Sequence, residues 1–442
     1  MQRPCLRAKP PEDDLARHAH ADSCLRTHGR RGFCIVSNAG ALSHIRVLDL
    51  TRVLAGPWAT QILGDLGAEV IKVERPGCGD ETREWGPPYL SGTNLSAYYL
   101  CANRNKKSIA VDLSQPEGAD IVRALASQCD VLVENFKVGG LKQYALDYDS
   151  LRSSDPRLIY CSITGFGQTG PEAQRSGYDA MIQAMGGLMS VTGRAAGEPG
   201  EGPQKAGVAI VDVMSGLYAT IAVLAALQHR TCSGVGQYID MALLDVQVAC
   251  LANQATNFLT TGDSPQRLGN AHPSIVPYQD FATADGKVML AVGNNEQFAR
   301  FCSVAGHPEW VTDARFSSNR ARVEHRQALV LMIGEVTRTQ STQFWLRALQ
   351  AVGVPCSPIN TIAEMFREPQ VRARALHVEM ADAQGRAMPL VASPLRLSES
   401  PVSYDRAPPT LGQDTRSVLR SLLHLADDKL NALQLRGIID GR

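Results

Sequence analysis

One carboxylate stands apart in this sequence. Asp212, in the segment VDVMSG, is the only charge between Lys205 and His229. A carboxylate in apolar surroundings is expensive unless it is paired or hydrogen-bonded. Two readings are open. Asp212 could cap or flank the start of the helix that follows, where the dipole and free N–H groups would hold it ionised. Alternatively it is a partly desolvated nucleophile. Upstream lies Gly177-Tyr178-Asp179. Tyr178 could line a pocket, and Asp179 reads most simply as a cap for its own helix. Gly165-Phe-Gly-Gln-Thr-Gly170 has the spacing of a dinucleotide loop, but no acid stands about 20 residues on. It reads better as a glycine loop that lets a ligand approach the backbone. Seven cations, Lys72, Arg75, Arg104, Lys106, Lys107, Lys137 and Lys142, are spread over the first part of the chain, and several flank predicted strand ends. Together they could bind a multiply phosphorylated cofactor.

Other chemistries find no support. The ten His show no metal-binding helix spacing, so no metal site is indicated. There is no serine-hydrolase elbow and no P-loop. Lys+Arg and Asp+Glu are 44 each, so the basic excess of a nucleic-acid binder is missing. Eleven Cys with no CxxC pair argue for a reducing compartment, not a disulfide framework. The apolar run 208–228 is long enough to span a membrane, but it carries Asp212 and many small residues. It reads as a buried helix, so no membrane is expected.

Elements that could position these residues follow a βαβ rhythm. Strands are predicted over 45–50, 69–73, 108–113, 131–134, 158–163 and 237–240. Helices are predicted over 59–66, 118–127 and 144–152. Parallel strands need cover on both faces, so an open α/β fold is expected. After Gly236 the pattern changes. A helical stretch over 245–260 precedes a loop over 261–280, a hairpin around Asp285-Gly286, and helices over 296–350. We divide the chain into a large domain over 41–240, a smaller α+β domain over 241–360, and a return to the large domain over 361–442. Residues 1–40 carry six Arg but also Glu12, Asp13, Asp14 and Asp22, and read as a disordered or targeting segment.

Seven segments in order resemble family III CoA-transferases, the group of carnitine CoA-transferase, formyl-CoA transferase and methylacyl-CoA racemase. They are VLDLTRVLAGP, LGAEVIKVERPG, NRNKKSIAVDL, DVLVENF, VDVMSG, AALQHRTCSGVGQYIDMALLD and VPCSPINT. The resemblance implies a Rossmann-like large domain built from both chain ends, a smaller domain, and two chains interlocked as a homodimer. It implies coenzyme A as cosubstrate, with no permanently bound cofactor. It places the nucleophile at Asp212 and CoA contacts at Val53, Ala55, Arg75, Val111, Asn135 and Phe136. Within the family the likeness points to transfer from succinyl-CoA to glutarate or hydroxymethylglutarate, and to a mitochondrial location.

Departures sharpen this. Racemases of the family carry Gly-His-Asp where this chain has Gly177-Tyr178-Asp179. A phenol, with a reference pKa of about 10, is a poor substitute for a base that exchanges a carbon-bound proton. Transfer is therefore favoured over racemisation. Leu54 replaces the Gln of formyl-CoA transferase, which argues against oxalate or formate, and with Tyr178 it is assigned to the substrate pocket. An Arg common after the ENF segment is replaced by Gln143 beside Lys142.

Overall fold

A computed structural model describes residues 40–441. Its centre is a seven-stranded sheet in the order β12-β3-β2-β1-β4-β5-β6. The strands and their main helices are β1 (Arg46–Asp49), α1 (Ala55–Asp65), β2 (Glu69–Glu74), β3 (Lys106–Val111), α2 (Pro116–Ala126), β4 (Val131–Glu134), β5 (Ile159–Thr164), α3 (Asp179–Met185), α4 (Ile210–Ser233) and β6 (Tyr238–Ala242). β1 to β6 pair in parallel. β12 (Ile439–Asp440) closes the β3 edge antiparallel, Ile439 opposite Val111. Each predicted strand is present, shifted by a few residues at its ends.

Alternation along the strands builds two cores. Leu48, Ile71, Ile109 and Leu132 face one side, under α2 and the helices Thr415–Leu423 and Asp427–Leu435. Val47, Val70, Val131 and Val133 face the other, under α1 and α4. Burial on both faces explains why these strands read as nearly unbroken apolar runs. Residues 276–354 supply a further core with Phe281, Phe298, Trp310 and Trp345. It backs the sheet β7 (Tyr278–Ala282), β8 (Lys287–Ala291) and β9 (Cys356–Ser357), and β7 and β8 form the hairpin expected around Asp285-Gly286. A last hairpin, β10 (His377–Ala381) with β11 (Ala387–Val391), packs Met380 and Met388 near Leu100.

α4 is long and apolar enough to cross a membrane. Only one of its faces is buried, with Val211, Ala219, Val223 and Ala226 in the core, while Leu217, Tyr218 and Ile221 are exposed. It crosses α1 at Gly216, where an added Cβ would meet the Ala55 carbonyl oxygen at 2.7 Å and Trp58 Cβ at 3.1 Å. Gly216 therefore sets how closely α4, which carries Asp212, approaches α1. Overpacking this crossing should cost about 1–3 kcal/mol. We expect Gly216→Val to lower the urea midpoint accordingly, and an unchanged midpoint would show that the helices yield without cost.

Candidate active site

The strand order reverses between β1 and β4. In open α/β sheets such a switch point opens a crevice at the carboxyl ends of the strands. Here the crevice is a cleft of about 190 Å³. Arg52, Val53, Leu54 and Ala55 come from the turn after β1, and Asn135, Phe136 and Lys137 from the turn after β4. Gly165 follows β5, residues 173–178 form the far wall, and Asp212 lies in the first turn of α4.

Side chains tie these turns to each other. The Asn135 amide accepts the Arg52 N–H at 3.0 Å and donates to the Arg52 carbonyl at 2.7 Å. The Arg52 guanidinium lies 5.6 Å from the centre of the Phe136 ring. Glu134 accepts the Phe136 N–H at 2.7 Å, and burial pushes its carboxyl up to about 7. Gly165 and Gly177 cross so closely that a Cβ on Gly165 would sit 2.7 Å from the Gly177 Cα. The Gly165–Gly170 segment is thus a wall where backbones meet, and no helix starts in it.

Asp212 is only 8% exposed. Ala209 is the helix N-cap, so Asp212 is not a cap. Nor does the helix start hold it ionised, one of the two readings open from sequence. The N–H groups of Val211 and Asp212 are directed instead to Asp179 Oδ1, at 2.8 and 3.3 Å. Asp179 thereby caps α4 rather than its own helix, and Gln183 donates to its other oxygen at 2.7 Å. With its local donors taken, Asp212 is pushed up to about 7, first by burial and then by the Asp179 charge. No described residue donates a hydrogen bond to its carboxylate.

Of the residues singled out from sequence, the cleft gathers Asp212, Val53, Leu54, Ala55, Asn135, Phe136 and Tyr178. It does not gather Arg75, exposed after β2, or Val111, whose side chain lies in the core. The cationic set divides. Lys72 pairs with Asp80 at 2.9 Å, Lys106 with Asp49 at 3.0 Å, Arg104 with Asp65 at 2.5 Å and Lys107 with Glu69 at 2.5 Å. The first three cations are buried and unavailable to a phosphate. Only Arg75, Lys137 and Lys142 remain exposed.

Sequence reasoning missed Arg175, on the far wall and 5.4 Å from the Phe166 ring. It also missed Tyr98, whose hydroxyl is pushed up to about 12 by burial, then by the charge of Asp212. Neither lies in a motif, and each is brought near by a long loop. A second cleft of about 460 Å³ adjoins the first, shares Lys137 and Val138, and is lined also by Lys142, Tyr148, Tyr160 and Tyr238. Among the described residues no cluster of three or more His, Cys, Asp or Glu could hold a metal ion.

The model of CoA-transferase family III matches residues 42–415. The chain is 51% identical over 385 residues to the succinate–glutarate CoA-transferase of Agrobacterium fabrum, covering 86% of this chain and 95% of that protein. It is 45% identical over 405 residues to the human succinyl-CoA:glutarate CoA-transferase, covering 92% and 91%. The crystal structure of a CaiB/BaiF family protein from Brucella suis superposes with a TM-score of 0.77 at 46% identity, covering 87% of this chain and all of that one.

The elevated Asp212 carboxyl has a stability consequence with a definite sign. Its native value, about 7, lies above the ordinary 3.8, so the fold favours the protonated form. That preference costs nothing below pH 4, grows as pH rises, and is complete above pH 7. Asp212→Asn should therefore be more stable than the parent chain at pH 8, by an amount on the order of 2–4 kcal/mol, and equally stable at pH 4. Denaturation of both at the two pH values checks this. A constant difference would mean that Asp212 titrates normally.

Proposed function

The chain belongs to CoA-transferase family III, and from that we propose that it moves CoA from succinyl-CoA to a dicarboxylic acid such as glutarate or hydroxymethylglutarate, with Asp212 as nucleophile. The observation that carries the reading is a desolvated carboxylate, without a donated hydrogen bond, at the floor of a cleft on the sheet's switch point.

The Asp212 carboxylate attacks the thioester carbonyl of succinyl-CoA. The C–S bond breaks, CoA leaves as thiolate, and a succinyl–aspartyl anhydride remains. The thiolate attacks the aspartyl carbonyl, releasing succinate and leaving an aspartyl–CoA thioester. The acceptor carboxylate attacks this thioester, the C–S bond breaks, and CoA thiolate leaves a second anhydride behind. The thiolate then attacks the acceptor's acyl carbonyl and frees Asp212. Anhydrides hydrolyse, so the near-closed setting of Asp212 fits the chemistry. The first N–H groups of α1 have no partner within the helix, and Leu54 and Ala55 line the cleft, so these amides are placed to serve tetrahedral oxyanions. Arg52, Lys137 and Arg175 make the cleft hospitable to an acyl group with a distal carboxylate.

The cleft is too small for a whole CoA. We place its acyl-pantetheine end there and its nucleotide along the adjoining cleft, with Lys137 at the junction and Lys142 beyond. In this reading Arg75 and Val111 do not touch the acyl end. Residues 41–240 with 361–442 form the CoA-binding part, and 241–360 the smaller domain. The exposed Leu217, Tyr218 and Ile221 support the homodimer. A racemase reading on the same fold is opposed by Tyr178, which offers no imidazole at the position of the racemase base.

Asp212→Asn and Asp212→Ala should lower transfer by at least about a thousandfold with the fold intact. Hydroxylamine added during turnover should modify Asp212 in the parent chain. Deuterium exchange at the acyl α-carbon without such modification would install the racemase instead. Succinyl-CoA assayed against glutarate, hydroxymethylglutarate, carnitine and oxalate should favour the first two. The mitochondrial reading concerns residues 1–40, of which 1–39 lie outside the described residues. A fluorescent protein fused behind that segment should enter mitochondria, and diffuse signal would remove that location.

A further inference from the structure

Four buried charges lie beneath the turn after β1. Asp49, Lys72, Asp80 and Lys106 are each fully buried. Lys72 Nζ donates to Asp80 Oδ2 at 2.9 Å and to the Thr51 carbonyl at 2.8 Å. Asp80 Oδ1 accepts the Val53 N–H at 3.3 Å and the Thr82 N–H at 3.0 Å. The ion pair therefore grips the turn on both sides of Arg52, while Asn135 holds the Arg52 peptide groups themselves. Between these grips Val53 has φ of +72°. A β-branched residue rarely occupies the left-handed region, and surroundings must over-determine it there.

A pair that merely filled the core would be poorly chosen, because packed apolar side chains do as well or better. What apolar side chains cannot do is bind one carbonyl and one N–H of a turn at once. Burial pushes the Lys72 ammonium down, but Asp80 and Asp49 push it further up. Burial pushes Asp80 up, but Lys72 and the Thr82 donors together reverse that, so both stay charged.

We propose that the Lys72–Asp80 ion pair is a positioning device for the acyl-CoA cleft, holding residues 51–54 in the left-handed turn at Val53 that shapes the cleft wall. Neither side chain lines the cleft, so both act through the backbone of the turn. The inference rests on the reading of that cleft as the acyl-CoA site.

The test uses Lys72→Met alone and combined with Val53→Gly, in the full-length chain. Glycine takes positive φ without penalty and restores the turn's shape without the grip. Folding is followed by circular dichroism, and steady-state kinetics use succinyl-CoA and glutarate. Folded Lys72→Met should raise the KM for succinyl-CoA about ten- to a hundredfold, with a smaller change in kcat, since a displaced wall misplaces the substrate. Val53→Gly in that background should recover most of the loss. A merely structural role predicts lower stability without this rescue. Should Lys72→Met fail to fold, the near-isosteric Asp80→Asn, alone and with Val53→Gly, is read the same way. A folded variant with unchanged KM, or one that Val53→Gly does not rescue, overturns the proposal. If the parent chain does not turn over succinyl-CoA at all, the function reading fails instead.

Discussion

A carboxylate removed from water must be paired or neutralised, and this chain uses both outcomes around one sheet. Asp49, Asp80 and Asp65 are paired with cations inside the fold. Glu134 and Asp212 are pushed toward neutrality by burial. The difference lies in which donors reach each group. Asp80 has Lys72 and two backbone N–H groups. Asp212 sits at a helix start, normally a good place for an anion, yet Asp179 has taken the available N–H groups. Anion stabilisation by the helix start is therefore withheld from Asp212 by the placement of a neighbouring acid.

The same economy explains the uneven distribution of cations. Formal charge is balanced at 44 and 44, and a small part of that balance is struck inside the fold. Each buried pair anchors a loop. Arg104 and Asn105 hold Asp65 and reach Val391 and Ser403, and Arg83 holds Glu74 and the Pro409 carbonyl. Such pairs add little net stability. They fix register between segments far apart in sequence, which a cleft assembled from separate turns requires.

Much of the sheet was legible because strand alternation and helix punctuation are local signals. Val47 to Asp49, Val70 to Val73 and Val131 to Val133 announce themselves as buried strands, and the isolation of Asp212 in an apolar run announced a carboxylate under constraint. Two things were not legible. The first is partnership. Lys72 and Lys106 read as part of a phosphate-binding set because nothing in a linear string says that Asp80 and Asp49 will meet them in the core. The second is which helix a capping residue serves, since Asp179 belongs to α3 but satisfies α4. The hairpin of β10 and β11 and the strand β12 also escaped. The hairpin strands are five residues each in a sheet of two, and the two-residue β12 pairs with a strand more than 300 positions away.

The closure of the β3 edge has a further implication for how the molecule comes to be. β3 gains its final neighbours, Thr415 and Ile439, only after some three hundred more residues have been added, the Ala110–Thr415 hydrogen bond spanning 305 positions. Throughout that interval during synthesis the emerging sheet offers an unprotected flank of backbone amides and carbonyls. Non-local parallel pairings are also slow to form. The ribosome-bound nascent polypeptide is therefore a natural client for chaperones, and loss of the short terminal strand would leave a sticky seam where neighbouring copies can aggregate.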